Sequence, residues 1–262
     1  MLFVERMGVE FDGDGEPVVM IHGLGGTTNT FTPLMSAFTR HKRVRFDLPG
    51  SGRSHFDGPL SLETFLEALR RAFSGIDRAH VVAHSMGTIV AQHFAAAQPE
   101  RVRSLVLFGP LLAPPEPARA NIRARAAKAR QEGMRGIADA LVQGSTSSET
   151  KQRRHSAVAF VRESLMAQDR DGYARSCEAL ADMQAADTSK IVCPALLVTG
   201  DEDAVSPPQS VRMMGQKIAG SRVEVIRGCG HWTPVERPDE CIALLKQFYE
   251  TGRERIRTLT PN

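Results

Sequence analysis

Apolar residues fall into short runs, separated by stretches whose apolar positions recur at helical spacing. Pro17-Val18-Val19-Met20-Ile21-His22 is a continuous run, as suits a strand buried on both faces of a parallel sheet. Val44 to Leu48, Ala79 to Ala83, Val102 to Phe108, Ala195 to Gly200 and Val223 to Ile226 predict further strands. Phe3 to Phe11 alternates weakly and predicts an opening strand or hairpin, closed by the turn Asp12-Gly13-Asp14-Gly15. Helices are expected over Phe31 to Phe38, from Leu62 behind the cap residue Ser61, over Thr88 to Ala97, and over Asp239 to Tyr249. In the second of these, Leu62, Phe65, Leu66 and Leu69 share one face.

Strand and helix alternate four times up to Phe108, which is the pattern of an α/β fold with a mostly parallel central sheet and helices on both faces. The rhythm then stops. Residues 111–187 contain no convincing strand and open with Pro114-Pro115-Glu116-Pro117 before helical, Ala- and Arg-rich sequence. We therefore expect a core of residues 1–110 and 188–262, interrupted by an α-helical cap, or lid, at 111–187. The tail from Thr251 to Asn262 is basic and polar and is expected to fray.

At 262 residues the chain has room for one such domain with a modest insertion. Its net charge of +3 is too small to suggest a nucleic-acid partner. Four cysteines without CxxC spacing read as reduced, mostly buried thiols. The N-terminus lacks a signal-peptide pattern, and no apolar run reaches the length of a membrane span, so the expected location is the cytoplasm, with no membrane partner. No metal-ligand motif such as HExxH occurs, and no cofactor is expected.

Candidate chemistry gathers at the ends of the predicted strands. The third ends in Ala83-His84-Ser85-Met86-Gly87 and runs into a helix. In a tight strand–turn–helix the residues two before and two after the central serine must be small, and Ala83 and Gly87 are. Such a turn lifts the Ser85 hydroxyl above the sheet and aims the backbone N–H of Met86 at a developing oxyanion. A second oxyanion donor should come from His22-Gly23-Leu24-Gly25-Gly26, by position the N–H of Leu24. Gly23 would let the backbone approach a substrate closely, and His22 is expected to hold the loop. An acid should follow a later strand. Gly200-Asp201-Glu202-Asp203 selects Asp203 by its offset from the glycine, with Asp201 as the fallback. Gly228-Cys229-Gly230-His231-Trp232 supplies a histidine on a glycine-rich loop as the base. His84 is expected to pack and Cys229 to take no catalytic part. The order Ser85, Asp203, His231 is that of a Ser-Asp-His triad on an α/β sheet.

With these motifs and Asp47-Leu48-Pro49-Gly50-Ser51-Gly52-Arg53-Ser54, the chain resembles α/β-hydrolase-fold enzymes along nearly its whole length. Within that superfamily it looks most like 3-oxoadipate enol-lactonases and related small esterases, through Ala120 to Met134 and Gly172 to Ala186 of the expected lid and through Gly230-His231 with Glu236-Arg237-Pro238. The resemblance implies a carboxylic ester hydrolase acting on a small-molecule ester or lactone through an acyl-enzyme. The sequence departs from the pattern at Ala83 for glycine, at Thr88 where a second glycine is usual, and at Trp232. Trp232 follows the histidine, is a candidate substrate contact and could reshape the pocket.

The basic residues Arg119, Arg123, Arg125, Lys128, Arg130 and Arg135 either attract a carboxylate substrate or form a solvated helix face. Tyr173 is a candidate polar contact. Two other readings stay open: C–C bond or amide hydrolysis on the same triad, and a ligand receptor that keeps the fold without turnover.

Overall fold

The computed structural model describes residues 7–259. The chain begins with strands β1 (Val9–Asp12) and β2 (Glu16–Ile21), a 3-10 helix (Thr28–Phe38) and strand β3 (His41–Phe46). Next come α1 (Leu62–Ala72), β4 (Ala79–His84), α2 (Met86–Ala97) and β5 (Val102–Phe108). Five helices follow without an intervening strand: α3 (Glu116–Glu132), α4 (Arg135–Ser145), α5 (Ser148–Arg153), α6 (His155–Met166) and α7 (Arg170–Asp182). The chain then completes its sheet with β6 (Ala195–Gly200), α8 (Pro208–Gly215), β7 (Arg222–Ile226), α9 (Thr233–Glu236) and α10 (Pro238–Leu259).

The seven strands form one sheet in the order β1-β3-β2-β4-β5-β6-β7. Only β1 runs antiparallel, pairing Val9 with Phe46 and Phe11 with Val44. The sheet is an α/β-hydrolase arrangement, mostly parallel, with helices on both faces. Side-chain alternation explains the double cover. Val19, Ile21, Val81, Leu105, Leu107 and Leu197 point into one core, shared with α1 and α2. Val18, Met20, Val82, Val106, Leu196 and Val198 point into the other, beneath the 3-10 helix and α10. Each such aliphatic side chain contributes about 1.5–3 kcal/mol by leaving water, so the continuous apolar runs are what a two-faced sheet requires.

Several boundaries differ from the sequence reading by one to three residues or more. β3 begins at His41, three residues before the expected start, because Arg43 and Arg45 mask the alternation. Their guanidinium groups pair with Asp12 and Glu10 of β1, while Val44 and Phe46 are buried. α10 starts one residue early and stays helical to Leu259, through most of the tail expected to fray. Its end is rich in Arg and Glu, which are good helix formers. Of the expected opening strand, residues 1–6 lie outside the described residues, and β1 covers the remainder from Val9. Helix α8 and the short α9 were not anticipated. No helix among the described residues is long and apolar enough to cross a membrane.

Candidate active site

Ser85 stands between β4 and α2 with φ 51° and ψ −123°. It is the one non-glycine with positive φ among the described residues, and such backbone costs on the order of 1–3 kcal/mol. Specific bonds hold it there. Ser85 N donates to Phe108 O at 2.9 Å, and its carbonyl accepts from Thr88 N at 2.8 Å and Thr88 Oγ1 at 2.6 Å. Thr88 is therefore an anchor at the position where a glycine is usual. Its Oγ1 also accepts from Leu111 N at 3.0 Å, tying α2 to the segment after β5. Ala83 is fully buried and pairs with Ile21. Gly87 has no substitute, since a Cβ there would lie 2.5 Å from His22 O and 2.6 Å from Ile21 O.

The structure brings the three predicted side chains together. His231 Nε2 lies 2.7 Å from Ser85 Oγ, and His231 Nδ1 lies 2.9 Å and 3.1 Å from the two oxygens of Asp203. With Asp203 accepting from Nδ1–H, Nε2 is left to accept from the serine hydroxyl. All three residues are buried. Burial alone would raise the Asp203 carboxyl. His231 and the N–H groups of Ser206 (2.7 Å) and Val205 (2.9 Å) outweigh it and hold the group below its usual value. The competing carboxylates are used elsewhere: Asp201 accepts from Cys229 N, and Glu202 from Ser148 N.

The loop 23–26 passes beside the serine. A Cβ on Gly23 would come within 2.7 Å of Ser85 Cβ, so Leu24 is one residue from that contact. Met86 is buried as the first residue of α2. His22 does hold this loop: its Nδ1 bonds Gly23 O at 2.7 Å and its Nε2 accepts from Leu48 N at 2.8 Å. Burial keeps that imidazole below its ordinary pKa and neutral. His84 packs as expected. Its Nε2 bonds His231 O at 2.9 Å, and burial, reinforced by neighbouring His231, pushes its pKa down to about 3. Cys229 is fully buried, and burial drives its thiol far above the ordinary range. Trp232 is buried, with its indole N–H on Ser145 Oγ at 3.1 Å and its ring beside His84.

The sequence reading gave no role to Glu236 and Arg237, both buried. Glu236 Oε1 accepts from Trp232 N at 3.0 Å, and Oε2 accepts from Gly230 N at 3.1 Å and Ser147 N at 2.8 Å. Arg237 bonds the carbonyls of Gly228 and Glu236 and pairs with Glu149 of α5 at 3.0 Å. Two charged residues in a loop-to-helix segment resemble solvated surface. The signal was Glu236-Arg237-Pro238 as part of the resemblance to enol-lactonases, close behind the histidine loop.

No metal spacing was found in the sequence, yet the fold brings ligand atoms of Glu16, His41 and His80 within 4.8 Å of one another. They lie at the opposite ends of the strands from Ser85. There Glu16 already pairs with Arg103 at 3.3 Å, and His80 Nδ1 with Ser104 Oγ at 2.7 Å.

A profile described as the alpha/beta hydrolase fold matches residues 16–238. The chain belongs to that family. It is similar to the pimeloyl-[acyl-carrier protein] methyl ester esterase of Neisseria meningitidis serogroup C, at 28% identity over 89% of this chain and 93% of the other. A protein named "Putative carbamate hydrolase RutD", from Azorhizobium caulinodans, is 36% identical over 102 residues, covering 37% of this chain and only 38% of that one. Among solved structures, the enol-lactonase from Burkholderia xenovorans superposes with a TM-score of 0.87 at 25% identity, over 93% of this chain and 96% of that one. The family is one of hydrolases, and these similarities agree with the resemblance to esterases and lactonases.

Proposed function

We propose that this protein is a serine hydrolase that cleaves a carboxylic ester or lactone through an acyl-enzyme. One observation carries the reading: His231 Nε2 is 2.7 Å from Ser85 Oγ while Asp203 holds Nδ1. Ser85 Oγ attacks the substrate carbonyl and its proton passes to His231 Nε2. The oxygen that gains charge is received by the backbone N–H groups of Leu24 and Met86. The tetrahedral adduct collapses, the C–O bond to the alcohol breaks, and His231 returns the proton to the departing oxygen. Water, deprotonated by His231, then attacks the acyl group and frees Ser85. Asp203 stabilises the imidazolium formed in each half. We read residues 111–187 as a cap over this site, with Gly23 and Trp232 on its walls. In support, Ser145 O accepts from His231 N at 2.8 Å, and Ser164 Oγ donates to Gly25 O at 2.8 Å.

The test is a side-by-side panel of p-nitrophenyl esters, lactones, amides and a ring-fission diketone against the wild type and Ser85→Ala. The expected result is turnover of esters or lactones, lost in Ser85→Ala. Unchanged hydrolysis in that variant overturns the reading, and exclusive turnover of the diketone or amide replaces the ester with that bond.

A further inference from the structure

The edge of the sheet opposite Ser85 gathers three side chains that the ester chemistry does not use. Glu16 opens β2 and His41 opens β3, and the two are paired across the parallel ladder. His80, on β4, pairs with Val18, two residues along β2 from Glu16. Side chains two apart share a face of a sheet, so register places all three on the face of Val18, beneath the 3-10 helix and α10. There one ligand atom from each lies within 4.8 Å of the other two. Both imidazoles are buried and the carboxylate is exposed.

Each of the three is already aimed by a neighbour. His80 Nδ1 lies 2.7 Å from Ser104 Oγ on β5; with Nδ1–H donating, Nε2 keeps its lone pair. That Nε2 faces Glu16 Oε2 at 3.5 Å, while Arg103 takes the other oxygen, Oε1, at 3.3 Å. His41 packs against Phe38 and Tyr249, with ring centroids 5.8 Å and 5.4 Å away. Imidazole and carboxylate ligands sit about 2.0–2.2 Å from zinc, so two ligand atoms across a tetrahedral ion are about 3.3–3.5 Å apart. The pair His80 and Glu16 has that spacing. His41 also lines a cleft of about 290 Å³ between the 3-10 helix and α10, which offers entry and room for a water as fourth ligand.

We propose that Glu16, His41 and His80 bind a divalent transition-metal ion of zinc's class, which clamps β3, β2 and β4 together at the edge of the sheet away from Ser85. The donor chemistry selects the ion. Arg103 beside Glu16, and Arg40 and Lys246 on the cleft wall, oppose the charge-driven binding on which Ca²⁺ and Mg²⁺ depend. Two imidazoles and one carboxylate suit zinc, for which nitrogen lone pairs carry much of the binding. Ser104 and Arg103 stand where the outer partners of metal ligands usually stand, fixing the imidazole tautomer and the carboxylate.

The test uses the whole chain, free of any affinity tag, stripped with EDTA and dialysed. ZnCl₂ is titrated calorimetrically into the wild type, Glu16→Gln and His41→Gln. A wild-type crystal soaked in ZnCl₂ is mapped by anomalous scattering at the zinc edge. Glu16→Gln changes an exposed side chain, so it keeps the fold even if His41→Gln does not. Loss of an outer partner alone weakens metal binding about 10- to 100-fold, and loss of a ligand should cost at least that. We expect one ion per chain, bound more tightly than imidazole binds it in the same buffer. The anomalous peak should lie between Glu16, His41 and His80, and each folded variant should lose affinity by about 10- to 100-fold or more. No saturable binding, binding no tighter than that of imidazole, an affinity that Glu16→Gln leaves unchanged, or a peak at His231 or a cysteine instead overturns the site. Neither readout depends on ester turnover, so the metal site stands or falls apart from the serine-hydrolase reading.

Discussion

Glu236 brackets His231: one carboxylate accepts from the backbone N–H of Gly230 and of Trp232, the residues on either side of the histidine. The same carboxylate reaches Ser147 N at the start of α5, so it joins His231 N on Ser145 O and the Trp232 indole on Ser145 Oγ in tying the histidine loop to the helical insertion. Glu236→Ala strands three N–H groups at about 1–3 kcal/mol each. We expect a loss of roughly 3 kcal/mol or more in denaturant unfolding and a fall in kcat of about 100-fold, in line with ångström-scale misplacement of a proposed base. Glu236→Gln, with one acceptor oxygen, should fall between. Wild-type stability and kcat in Glu236→Ala would contradict the bracket.

Asp203 accepts from His231 Nδ1, Ser206 N, Val205 N and Thr199 Oγ1. Asp203→Asn preserves its shape but presents an N–H where an acceptor is needed. In a triad that forces the wrong imidazole tautomer, so kcat should drop by about 10³- to 10⁴-fold with KM little changed. Steady-state kinetics on the best ester of the panel would check it. A loss below tenfold would point to Asp201 as the acid.

Acid should destabilise the protein before it protonates the carboxylates. Burial pushes His84 down to about 3 and His80 to about 4, and lowers His22, whereas each titrates near 6.5 when unfolded. Below about pH 6.5 the unfolded chain therefore binds protons that the folded chain refuses. Stability is full above that pH and declines toward pH 4, each such histidine adding up to about 1.4 kcal/mol per pH unit. Asp203 acts later: its folded pKa is depressed, so its contribution persists above about 3.8 and fades only as pH falls below that value. Denaturant unfolding at pH 8, 6.5 and 5 should show a plateau and then a steep fall. A flat profile down to pH 5 would contradict neutral burial of these imidazoles.

Gly23 tests how tightly the loop approaches the serine. An added methyl would sit 2.7 Å from Ser85 Cβ and 3.0 Å from His84 O. Gly23→Ala should lower kcat/KM by about 100-fold through displacement of Ser85 and of the proposed Leu24 donor. The kinetics should be read beside Tm, which a local shift of this loop lowers by only a few degrees. Unchanged kcat/KM would show that the loop can retreat.

Much of this architecture could be read from local rules. The buried runs at Val18 to Ile21 and Val102 to Phe108 name a two-faced parallel sheet because each carries apolar residues to both cores. Ser85, Asp203 and His231 were found because each follows a strand, where loops gather at one edge of such a sheet. What escaped depended on contacts distant in sequence. Arg43 and Arg45 hide a strand until Asp12 and Glu10 are placed beside them. Glu236 and Arg237 look like surface charges until the histidine loop folds over them. The arginines of the helical insertion look alike until Asp182 and Glu178 claim Arg123 and Arg130.

The central claim is that Ser85 becomes covalently acylated. Its most direct test is intact-protein and peptide mass spectrometry after treatment with a fluorophosphonate, on the wild type and on Ser85→Ala. The account predicts one adduct per chain, located on Ser85 and absent from the alanine variant. An unlabelled wild type, or an adduct that persists in Ser85→Ala, would contradict it.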